Sequence, residues 1–130
     1  MNFITELKPN EVFVFGSNTA GRHGAGAAKW AAQHFGAQPG VGSGTTGKCY
    51  AIPTKDRNLQ TLALLPIQFH VVNFLDYATC YPDTKFLLTP IGCGLAGYRP
   101  IQIAPMFFYA PSNVILPPEF TEVLSRFPRD

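Results

Sequence analysis

Two stretches of the sequence combine glycines with polar side chains in a spacing that suits the holding of an anion: GSNTAGRHGAG, beginning at Gly16, and GCGLAGY, beginning at Gly92. In the first, Gly16, Gly21, Gly24 and Gly26 carry no Cβ to keep a ligand away from the peptide groups, and Ala25 keeps their surroundings slim. A helix starting there would turn its free N–H groups and its positive end toward the loop. The second stretch repeats the pattern with Gly92, Cys93, Gly94, Leu95, Ala96 and Gly97, then ends in Tyr98. The Tyr98 ring can cover a sugar or fill the edge of the core, and its hydroxyl can bond in either place.

Several side chains around these loops have functional groups suited to chemistry. Asn18, next to Ser17, can donate to and accept from ribose hydroxyls or a reacting water, or can stabilise a turn. His23 can take a proton from water near neutral pH, and Arg22 beside it can pair with an anion or face solvent. Lys55 and Asp56 follow CYAIPT, where the carboxylate can orient water or cap a solvated turn. His34 and His70 fall in helical patterns without HExxH spacing and are left outside the site. The run GSGTTGKC at residues 42–49 nearly matches a nucleotide-triphosphate loop. However, Cys49 replaces the magnesium-binding hydroxyl, and a strand-like segment follows where a helix is required.

These loops need elements to position them. Residues 11–15 are an apolar, β-branched and aromatic run ending at Gly16, which predicts a buried strand entering a turn. Residues 25–35 predict a helix with Ala28, Ala31 and Phe35 inward and Gly36 as its cap. The Gly- and Pro-rich residues 36–47 predict an irregular excursion, followed by a strand at 48–53. A second helix begins at Pro66, carries Ile67, Val71, Phe74, Leu75 and Ala78 on one stripe and stops before Pro82. Residues 86–91 predict a central strand. A helix over 99–108 follows, shortened or bent at Pro105, then a strand at 112–116 and a closing helix at 119–127. Alternating strands and helices predict an α/β fold: a three-layer α/β/α sandwich with a mixed, mainly parallel sheet, in one domain spanning residues 1–130. Ligands of such sheets settle outside the carboxyl ends of the strands, where both glycine loops lie.

Composition excludes several classes. With 46% hydrophobic and 14% charged residues and eleven phenylalanines, the chain is neither disordered nor a charged solvating tail. A net charge of +2 without a basic run does not indicate a nucleic-acid partner. Cys49, Cys80 and Cys93 are odd in number and lack CxxC spacing, so reduced thiols of a cytoplasmic protein are expected, with no disulfide framework and no metal site. No signal peptide or membrane span is expected.

The segments VFVFGSN, GRHGAGAAKWA and PIGCGLAGY, in this order and on these elements, resemble the macro domain family of ADP-ribose-binding modules and hydrolases. The likeness covers most of the chain. It implies a cleft in which the two loops grip the diphosphate and distal ribose of ADP-ribose, free or attached to a macromolecule, with no cofactor. Asn18 would then contact the distal ribose, Tyr98 would close over it, and His23 would stand where some phosphatase-like members carry a catalytic histidine. The expected activity is hydrolysis at the distal ribose C1, with Asn18, His23 and Asp56 as the catalytic set, and the alternative is a reader that binds without turnover. The family's acidic residue for adenine has no counterpart in its usual place: Phe3 stands there, with Asn2 or Glu6 as substitutes.

Overall fold

The computed structural model describes residues 4–127. Asn2 and Phe3 lie outside the described residues, and Glu6 is exposed. The chain runs β1 (Glu11–Asn18), α1 (Gly26–His34), β2 (Gly44–Thr46), β3 (Cys49–Lys55), α2 (Leu64–Thr79), β4 (Lys85–Leu88), α3 (Pro100–Ile103), β5 (Val114–Ile115) and α4 (Pro118–Leu124), with a 3-10 turn at Ala104–Phe107 after α3. The five strands form one mixed sheet in the order β2-β3-β1-β4-β5. β1, β3, β4 and β5 are parallel, and β2 pairs antiparallel with β3. The fold is therefore the α/β sandwich expected from the alternation of elements.

Strand alternation sorts the side chains into two cores. Phe13, Phe15, Cys49 and Ala51 face α1, where Ala28, Ala31 and Phe35 meet them. Val14, Tyr50, Ile52, Phe86 and Leu88 face the other way and pack against Ile67, Val71 and Phe74 of α2, Ile103 of α3 and Phe120 and Val123 of α4. Removing a side chain such as Phe74 or Ile52 from water contributes about 1.5–3 kcal/mol, so the larger core carries most of the stability. Three helices cover one face of the sheet and α1 alone covers the other.

Several boundaries differ from the sequence expectation. β1 continues through Gly16 to Asn18, because Gly16 stays in register with Ile52 of β3 and does not turn. β2 lies inside the segment expected to be irregular: Gly44, Thr45 and Thr46 pair with Ala51, Tyr50 and Cys49, and Gly47 and Lys48 make the hairpin turn. The run GSGTTGKC is thus a β-hairpin and not a phosphate loop. α2 starts two residues before Pro66, whose missing N–H falls in the first turn, where no intrahelical partner exists. Pro105 shortens α3 to a single turn followed by 3-10 geometry, as its position predicts.

Candidate functional site

Chain topology places a crevice beside β1. From β1 the chain turns to α1 on one face of the sheet, and from its neighbour β4 it turns to α3 on the other, so the two connecting loops diverge at the carboxyl ends of adjacent parallel strands. A cavity of about 1380 Å³ opens there. Gly16, Ser17, Asn18, Arg22, Gly24, Ala25 and Gly26 line it from the first loop, and Gly92, Cys93, Gly94, Leu95 and Ala96 from the second. The loops approach closely: a Cβ on Gly26 would lie 3.5 Å from Leu95 Cδ1.

The cavity continues from the strand ends down the face of the sheet that α1 leaves uncovered. Phe13 pairs with Leu87, and Leu87 pairs with Ile115, so all three side chains share that face. Phe13 lies near α1 and is buried, whereas Leu87 is half-buried and Ile115 is exposed. Leu87, Ile115 and Leu116 form an apolar floor, and Ile4 and Trp30 line the cavity at the α1 side. Trp30 is tied in place by its indole N–H, which donates to Ile4 O at 2.9 Å.

Backbone donors remain open along both loops. α1 begins at Gly26 without a side-chain cap, and its first residues Gly26, Ala27 and Ala28 line the cavity. The amides of Gly94, Leu95 and Ala96 donate to no acceptor among the described residues. Charged side chains at the cavity are Arg22, Lys55 and Glu119, and none of them makes an ion pair among the described residues. Two cations, a helix start and free amides make one end of the cavity anion-attracting.

Asn18 lines the cavity, but its amide already has work inside the loop. Nδ2 donates to Arg22 O at 2.7 Å, and Oδ1 accepts from Arg22 N at 3.0 Å. This clamp sets the path of residues 18–22 and leaves one N–H and one lone pair of the amide for a ligand. Cys93 also reaches the cavity, with its thiol pushed up to about 11 by burial and then by the Glu119 carboxylate, so it stays protonated. Deeper in the protein, burial pushes the Cys49 thiol up to about 12. All three cysteines are free thiols.

Five residues expected at the site do not line the cavity. His23 turns away: Nε2 donates to Gln38 O at 2.9 Å, and the ring stands edge-on to Phe15 with centroids 5.4 Å apart. Nδ1 is buried without a partner. Asp56 closes its own turn, with Oδ1 accepting from Asn58 N at 2.8 Å and Gln60 N at 3.0 Å. Tyr98 donates its hydroxyl to Leu62 O at 2.6 Å and packs its ring against the larger core. Gly97 belongs to the turn before it, where its N–H donates to Gly94 O. Gly21 is packed against the backbone of Gly40 and Val41, so tightly that a Cβ would overlap both.

Lys55, expected at this end of the sheet from its place after CYAIPT, lines the cavity, and so do Trp30 and Glu119, which the sequence did not place there. The signal for Lys55 is that it ends a strand parallel to β1 at the same edge of the sheet. Glu119 and Trp30 had none, because their position depends on how the ends of the sheet are closed. Among the described residues, no three His, Cys, Asp or Glu side chains gather where they could hold a metal ion, and no helix is long and apolar enough to cross a membrane. The chain matches no protein-family model, no curated protein and no solved structure.

Proposed function

We propose that this chain binds ADP-ribose or a close derivative in the cavity between its two glycine loops. One observation carries the reading: both loops, the uncapped start of α1 and the cations Arg22 and Lys55 line a single hollow. A diphosphate suits that end, because open backbone amides and two positive side chains can neutralise it without side-chain rearrangement. The apolar floor of Leu87, Ile115 and Leu116 suits the faces of a base and sugars. The free half of the Asn18 amide suits a ribose hydroxyl.

Binding is the core of the proposal, and hydrolysis at the distal ribose C1 is its second reading. His23 and Asp56 are bonded elsewhere, so water activation by either would need a rearranged loop. Lys55 favours the second reading, since an ammonium beside the phosphates can stabilise charge on a leaving oxygen. Calorimetric titration with ADP-ribose, with AMP and inorganic phosphate as comparators, tests the binding. Phosphate release from ADP-ribose 1″-phosphate separates hydrolase from reader. Saturable binding without release supports the reader, and no heat with any of these ligands overturns the proposal.

A further inference from the structure

α2 carries a second apolar stripe that the fold does not use. Leu65, Phe69 and Val72 are 76%, 63% and 47% exposed. At 3.6 residues per turn these positions and Asp76 fall within an arc of about 60°, opposite the buried stripe of Ile67, Val71, Phe74 and Ala78. The helix is therefore apolar on two opposite sides. Asp76 is its sole Asp, Glu, Lys or Arg, and it makes no ion pair among the described residues. A contiguous exposed apolar stripe beside polar residues is a place where a partner ordinarily packs.

The spacing along the exposed stripe suits a second copy of the same helix. Positions 65, 69, 72 and 76 are separated by four, three and four residues, a pattern that reads the same in both directions. A twofold axis pairs position i with j and j with i, and this pattern maps onto itself when the helix packs antiparallel on a second copy. With the axis between residues 70 and 71, Phe69 meets the partner's Val72 and Leu65 meets the partner's Asp76. The four-three alternation is also the seam spacing of paired helices crossing at a shallow angle.

Charge agrees with this register. Each Asp76 would lie against the start of the other α2, where the Ala63 cap contributes no side-chain bond and the first-turn amides are positive. A parallel pairing would instead bring the two Asp76 carboxylates together. Exposed Gln68 and Asn73 flank the stripe as a polar rim. We propose that two copies of this chain associate through an antiparallel α2–α2 contact about a twofold axis. The contact lies on the face of the sheet opposite the uncovered cavity floor, so it is independent of the ligand proposal.

Sedimentation equilibrium of the full chain from about 5 to 500 µM tests this. The contact involves one 16-residue helix per copy, at the small end of stable interfaces, so a dissociation constant of roughly 10–100 µM is expected. Phe69→Lys is expected to give monomer throughout. Leu65→Lys, which sets an ammonium across from the partner's Asp76, is expected to keep the dimer at equal or higher affinity. Both sites are exposed, and thermal melts of each variant check that the fold is kept. Monomeric wild type at 500 µM, or a dimer indifferent to Phe69→Lys, overturns the proposal. If Leu65→Lys disrupts as strongly as Phe69→Lys, the antiparallel register is wrong.

Discussion

The loop after β1 is held by backbone packed on backbone, whereas the loop after β4 is tied to the rest of the fold by two side-chain hydroxyls. In the first, Gly21 N donates to Asn18 O at 3.0 Å, Gly40 N donates to Gly21 O at 2.9 Å, and the Asn18 amide grips both polar groups of Arg22. Gly42 lies so close beneath it that a Cβ would overlap Asn18 O. In the second, Tyr98 Oη donates to Leu62 O and Thr61 Oγ1 donates to Ala96 O at 2.9 Å. The first loop thus has a shape fixed by the close approach of three chain segments. The second is shaped by its own tight turns and oriented from outside, so its anchors can be altered one at a time.

Substitutions should expose this difference. Gly42→Ala is expected to cost about 3 kcal/mol or more in urea unfolding, because neither Asn18 nor Gly21 backbone can give way. Asn18→Ala removes two hydrogen bonds from a nearly buried clamp and is expected to cost about 2–3 kcal/mol and to weaken ligand binding. Tyr98→Phe removes the one bond by which Tyr98 anchors the second loop to Leu62 while keeping the ring, and about 1 kcal/mol is expected from the same unfolding measurement. If Tyr98→Phe proves as damaging as Gly42→Ala, the contrast between the loops fails.

The smallest effect expected is a pH dependence remote from both loops. Burial holds the His70 imidazole below its ordinary 6.5. The unfolded chain therefore takes up this proton first as pH falls, so the contribution is intact above about pH 7 and is lost on acidification through 6.5. Melting temperature should fall between pH 7.5 and 5.5, and His70→Gln should remove part of that fall.

How much of this was legible in the sequence follows from the range of the interactions. The periodicity of residues 25–35 and 66–78 identified both long helices, and the turn to glycine at Gly92 identified the second loop, because such signals are local. β2 was missed, since Gly44 and Thr46 acquire strand geometry only by pairing with residues up to seven positions away. The orientation of His23 depends on Gln38, fifteen residues on, and that of Tyr98 on Leu62, thirty-six residues back. Neither partner has a sequence signature, so loop position and the family resemblance placed both side chains at the ligand, with the core edge kept as the alternative for Tyr98. Asp56 is different: an Asp whose carboxylate caps amides two and four residues later is a local turn signal, present in DRNLQ.

The central claim is that both loops serve one ligand, and two glycines allow it to be tested without disturbing the fold. Gly24 and Gly94 each line the cavity, and a Cβ on either would meet open space. Calorimetric titration of ADP-ribose into wild type, Gly24→Glu and Gly94→Glu, with melting temperatures to confirm equal stability, places a carboxylate beside the diphosphate from each side in turn. Both variants are expected to lose at least about thirtyfold in affinity through like-charge repulsion. Full affinity in either variant, or no binding by the wild type at millimolar ligand, would contradict the shared site.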